Sequence, residues 1–121
     1  MSAATPSTPA NQPTPAAKEI LPNPATLLHA ARLAIQQDKP IQVDYYVESA
    51  TGKAVVGKDP ETGEKMLMKS NDEFTSLIMK IYKANEDFII ITENSIYIVS
   101  GKIQERKINV TQMRTQDYET L

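Results

Sequence analysis

The stretch Asp87-Phe-Ile-Ile-Ile-Thr-Glu-Asn-Ser-Ile-Tyr-Ile-Val-Ser100 constrains the fold more than any other part of the chain, because it reads as a β-hairpin that is apolar on both faces. A two-residue turn at Glu93-Asn94 predicts the pairs Thr92/Ser95, Ile91/Ile96, Ile90/Tyr97 and Ile89/Ile98. Side chains alternate along a strand, so one face carries Phe88, Ile90, Tyr97 and Val99, and the other carries Ile89, Ile91, Ile96 and Ile98. Burying a large aliphatic side chain is worth roughly 1.5–3 kcal/mol. Four isoleucines therefore rival the net stability of a whole domain, about 5–15 kcal/mol. Neither face can be left in water. One must meet a small core, and the other must meet a helix or a second protein chain.

With 121 residues and 40% hydrophobic content, the chain can build one modest core and not two. It has no cysteine, which removes disulfides, thiolate metal sites and cysteine nucleophiles, and its one histidine supports no histidine-rich metal site. No basic-then-apolar leader and no apolar run of ~20 residues are present, so the chain reads as soluble and intracellular. The formal charge of −2 gives no overall drive toward nucleic acid or an anionic membrane.

Residues 1–22 hold Pro6, Pro9, Pro13, Pro15 and Pro22 among small polar residues. Such a segment buries too little apolar area to offset an ordering cost of roughly 1–2 kcal/mol per residue, and it is expected to be a flexible, partly polyproline-like arm, either a disordered tail or a segment that docks on partners. Asn23-Pro24 then opens a helix expected over 24–37: Asn is a strong N-cap, and proline at the first helical position loses no hydrogen bond. Leu27, Leu28, Ala31 and Ile35 follow at helical spacing, and Pro40 ends the run. Ile41, Val43, Tyr45 and Val47 alternate with polar or aromatic neighbours as a half-buried strand does, with Gly52 in the turn behind. Lys53 to Lys58 and Lys65 to Lys69 read as strands joined by Asp59-Pro60-Glu61-Thr62-Gly63, which is turn chemistry. Residues 70–83 fit either a capped helix or a strand; a strand over 75–83 is favoured because it gives the hairpin an edge partner. Ile103, Ile108 and Val110 suggest a last short strand.

Gly63-Glu64-Lys65, Glu73-Phe74-Thr75-Ser76, Lys80-Ile81-Tyr82-Lys83 and the run from Ile89 to Val99 resemble a small family of short, mostly uncharacterised proteins encoded by large double-stranded DNA viruses. The similarity covers about residues 40–100 and omits both ends. It implies a viral setting, and in that setting a minor component of the virion or of its assembly. It implies no catalytic or binding residue.

Little in the sequence supports catalysis. His29 has no partner residues for a ligand set, Asp72-Glu73 and Glu86-Asp87 lack the spacing of a calcium loop, and Gly52, Gly57, Gly63 and Gly101 form no phosphate-cradling loop. No enzyme, cofactor or metal is expected. The competing reading is single-stranded nucleic-acid binding on a small antiparallel sheet, with Lys65, Lys69, Lys80, Tyr82 and Lys83 supplying stacking and phosphate contacts.

The expectation is an α+β domain over 23–103, with an N-terminal helix packed on a five- or six-stranded antiparallel meander or small SH3/Sm-like barrel. An N-terminal arm (1–22) precedes it and a polar C-terminal tail (104–121) follows. The expected function is a non-enzymatic structural or adaptor role through contacts with other subunits or copies of itself. Ile89, Ile91, Ile96 and Ile98 are the candidate interface wherever helix 24–37 leaves them uncovered.

Overall fold

The computed structural model describes residues 20–113. Residues 1–19 of the expected arm and 114–121 of the expected tail lie outside the described residues. The elements are α1 (Pro24–Gln37), β1 (Ile41–Gln42), α2 (Tyr46–Thr51), β2 (Val55–Lys58), β3 (Lys65–Ser70), β4 (Glu73–Ala84), β5 (Asp87–Thr92), β6 (Ile96–Ser100) and β7 (Gln104–Lys107). The fold is α+β: α1 packs against one sheet of seven strands in the order β1-β6-β5-β4-β3-β2-β7. All neighbours are antiparallel except the two outermost pairs, β1 with β6 and β2 with β7. The sheet has two free edges, β1 and β7, and so is open. Of the two expected forms, meander or small barrel, the barrel does not form, and seven strands with two parallel pairs stand where five or six antiparallel ones were expected.

The hairpin has the expected register, with Ile91 opposite Ile96, Ile90 opposite Tyr97 and Ile89 opposite Ile98. Its turn contains no glycine, and the Thr92 hydroxyl compensates by accepting the N–H groups of Asn94 (3.3 Å) and Ser95 (3.1 Å). That bond pattern closes a short turn without positive φ. Residues 73–84 form one long strand, which excludes the helical alternative for 70–83. β4 pairs with β3 through its first half and with β5 through its second, with register shifts on both sides. Bulges of this kind bend a strand and raise its twist.

The bend sorts the apolar residues into three layers. Outside the β4-β5-β6 half, Ala30 and Leu33 of α1 and Tyr46 of α2 pack on Ile89, Ile91, Ile96 and Ile98. Inside the bend, Tyr45, Ala54, Val56, Leu67, Ile90 and Val99 form a second cluster, joined by Phe88 and Tyr97. Behind the β2-β3 half, Val110 and Met113 cover Val55, Met66 and Met68. The two faces of the hairpin thus divide as the alternation predicts.

Two further expectations need correction. The strand read over Ile41 to Val47 is only Ile41–Gln42, after which the chain turns into α2. Tyr45 and Tyr46 drop into different clusters, and Gly52 (φ 88°) is the left-handed cap of α2, its N–H donating to the Glu48 carbonyl. The residues read as a polar tail begin inside the fold: Gln104–Lys107 is β7, paired with β2, and Val110 is buried beyond it. The Asp59 carboxylate anchors this return by accepting the N–H groups of Glu61 (2.9 Å) and Val110 (3.1 Å). Those donors hold its carboxyl below the usual range, so the anchor is stabilising at neutral pH and weakens as pH falls through the folded value. Finally, the polypeptide leaves β6 at Gly101, whose added Cβ would lie 2.4 Å from the Glu86 carbonyl oxygen. Only glycine fits there.

Candidate functional site

Ile89, Ile91, Ile96 and Ile98 are at most 3% exposed, because α1 lies across them. The condition under which they would form an interface is not met; they are core. The helix is held there by its polar residues as much as by its apolar ones. Asn23 caps α1, its side-chain oxygen accepting the Ala25 N–H at 2.8 Å, and the Thr26 hydroxyl donates to the Ala84 carbonyl at 3.1 Å. Asp87, buried at the start of β5, accepts the Tyr46 hydroxyl at 2.6 Å and the Asn23 N–H at 2.9 Å. One carboxylate therefore ties α1, α2 and the sheet together.

Burial and then the Asp87 hydrogen bond push the Tyr46 phenol well above its ordinary value, and burial together with Glu73 does the same to Tyr45. A raised phenol favours the folded state in full below the unfolded value near 10 and loses that contribution as pH climbs above it. Thermal midpoints should accordingly stay level up to about pH 10 and fall beyond it. Tyr46→Phe should show a shallower alkaline fall than the parent chain in paired melts, and equal slopes would contradict the assignment.

With its inner stripe occupied, α1 still carries a second one. Leu27, Ala31 and Ile35 recur every four residues on the side away from Thr26, Ala30 and Leu33, with Leu28 beside them. Leu28 is 56% exposed and Ile35 is 82% exposed. A helix with apolar stripes on opposite sides is unlike the one-sided helix of an ordinary surface. This outer stripe is an exposed apolar strip along the helix. The sequence contained the signal, since these were the residues whose spacing identified the helix. The side that meets the sheet is instead that of Thr26, Ala30 and Leu33.

The expected nucleic-acid face does not come together. Tyr82 packs on the α1 side of the sheet, with the Lys80 ammonium 5.0 Å from its ring centre and the His29 ring 6.3 Å away. Lys69 lies instead over Tyr45 at 4.5 Å, and Lys83 over Phe88 at 5.3 Å, both rings belonging to the inner layer. Lys65 alternates with Met66 and so shares the inner side with Leu67. Two of the five residues thus face one way and three the other. Lys65 and Lys69 are further engaged with Glu105 (3.9 Å) and Glu73 (3.5 Å).

The inner layer opens in a small apolar cleft of about 200 Å³ lined by Val56, Ile81, Phe88, Ile90 and Ile103, with Glu105 at its rim. Glu105 is the one ionisable side chain on this otherwise mostly apolar wall. Among the described residues, no three His, Asp or Glu side chains gather to hold a metal ion, and no helix is long and apolar enough to cross a membrane. Compared with known proteins, the chain matches no family model, no curated protein and no solved structure.

Proposed function

We propose that this chain is a non-enzymatic assembly module that pairs with a second copy of itself through the outer stripe of α1. The observation that carries the reading is the exposure of Leu27, Leu28 and Ile35 on a helix whose other side is already buried. The stripe suits a two-fold contact, in which residue i meets j and j meets i. In an antiparallel pair centred on Ala31, Leu27 of each helix faces Ile35 of the other, and the small alanine at the centre lets the helices approach to about 8–10 Å. Such a contact is smaller than a standard interface of about 1,600 Å², so its dissociation constant falls in roughly the micromolar range. Residues 1–22 act in this reading as an arm that docks on a neighbouring subunit. In the viral setting that the resemblance implies, the role is that of a minor particle component.

Light scattering on a dilution series from about 500 µM to about 1 µM brackets that range. The average mass should fall from near dimer toward monomer. Ile35→Asp should be monomeric throughout with an unchanged melting temperature, because its side chain supports nothing within the fold. A parent chain that is monomeric at every concentration, or a variant that associates equally well, overturns the proposal.

A further inference from the structure

The strand register places three lysines in one row. Lys58 of β2 lies opposite Lys65 of β3 on one side and opposite Lys107 of β7 on the other. Residues opposite one another across a sheet point to the same face, and like charges so placed repel. Three successive strands therefore carry a cation at the same level on the same side. With strands about 4.8 Å apart, the row spans about 10 Å. The row's one ion pair among the described residues is Lys65 with Glu105, a residue one pleat pair inward, at a loose 3.9 Å. Lys58 and Lys107 have none there, although both are exposed. In the turn between β2 and β3 the Asp59 carboxylate is directed at backbone N–H groups, and Glu61 and Glu64 form no ion pair with the row among the described residues.

The same corner of the sheet is concave. A hollow of about 400 Å³ lies against the free edge of β7, lined by Lys58, Pro60, Glu105, Arg106 and Lys107. Three of its five lining residues are cations, and its one carboxylate, Glu105, is shared with Lys65 two strands away. Charged residues on an exposed edge strand also deter pairing with other sheets, but that purpose needs charge only on the edge and not on β2 and β3. A sheet that sets like charges in register across three strands departs from the local rule, and such departures collect where a ligand is held.

We infer that this corner is an oxyanion site for a ligand carrying two or more adjacent phosphate groups, held by Lys58 and Lys107 with Lys65 at its inner end. A row of about 10 Å is longer than a single phosphate can bridge, whereas linked phosphates reach along it. The ligand chemistry is common to free oligophosphates and to the phosphate backbone of a single-stranded nucleic acid. The inference does not rest on the pairing of α1, which lies on the other half of the sheet.

The test uses the full chain in low-salt buffer, with melting temperature and calorimetric titration as readouts. Sodium tripolyphosphate, inorganic phosphate, a dT oligonucleotide and sodium chloride at matched ionic strength serve as the four probes. Tripolyphosphate should raise the melting temperature saturably, and inorganic phosphate should do so more weakly. The Lys58→Gln/Lys107→Gln variant should bind tripolyphosphate about tenfold or more weakly. Without added anion, that variant should melt higher than the parent at low salt, with the gap closing as sodium chloride is added, because row repulsion is screened. Saturable binding of the oligonucleotide as well, lost in the same variant, identifies nucleic acid as the phosphate source; binding of tripolyphosphate alone identifies the free compound. A parent that responds to tripolyphosphate no more than to sodium chloride overturns the site, as does a variant that binds it undiminished.

Discussion

Ile98→Asp should abolish the fold, leaving a chain without a cooperative melt and with circular dichroism of a largely unstructured polypeptide. Ile98 is fully buried between its partner Ile89 and the helices above the hairpin. Aspartate there loses the roughly 1.5–3 kcal/mol of apolar burial and adds a carboxylate to an apolar cluster, at a penalty of several kcal/mol more. The total is of the order of the whole stability of a domain this size. Ile98→Val keeps the shape and should cost only about 0.5–1.5 kcal/mol, separating charge from volume. Comparison with Ile35→Asp gives the experiment its meaning. Both replace an isoleucine by an acid, one under α1 and one on its outer side, yet the first is expected to unfold the monomer and the second only to prevent pairing. If Ile98→Asp retains a native melt while association disappears, the hairpin's isoleucine face is an interface and the packing of α1 described above is wrong.

The contrast between those two isoleucines also marks where sequence reasoning succeeded and where it stopped. Local features carried well. Two apolar faces and a two-residue gap determined the hairpin register, and Asn23-Pro24 marked the start of α1, because both depend on residues within a few positions of each other. Which hairpin face α1 covers was not local: it depends on Thr26, Ala30 and Leu33, which are less conspicuous than the leucines that made the helix visible. Val43, Tyr45 and Val47 alternated convincingly, but the Tyr46 hydroxyl has its acceptor at Asp87, 41 positions away, and Ser49 accepts the Ser100 N–H at 2.8 Å. Those tertiary bonds favour a short helix over a longer strand. β7 was legible only as a charged stretch, since Gln104–Lys107 is exposed throughout and joins the sheet through parallel pairing with β2. Parallel partners have no connecting turn to announce them. The lysine row follows from the same pairing, so it was invisible until the register of three strands was known.

The Asp87 junction leads to the second large effect. Asp87→Ala should lower stability by about 3–5 kcal/mol, more than a typical surface or single hydrogen-bond change, since hydrogen bonds to a charged group contribute roughly 1.5–3 kcal/mol each and two are lost. Removing the carboxylate leaves the Tyr46 hydroxyl without its acceptor inside a packed layer and deprives the Asn23 N–H of its partner at the N-cap of α1. The damage should be distributed along the contacts that Asp87 organises. Hydrogen exchange ought to quicken first in α1 and α2, while β2 and β3, which pack behind the other half of the bent sheet, keep their protection until global unfolding. Tyr46→Phe deletes one of the two bonds and should cost about 1.5–3 kcal/mol. In a double-mutant cycle the two changes should be strongly non-additive, because the Tyr46 bond cannot be lost twice. Additive costs, or exchange that accelerates evenly over the whole sheet, would show that Asp87 acts only as one more buried residue and not as the joint that holds α1 over the hairpin.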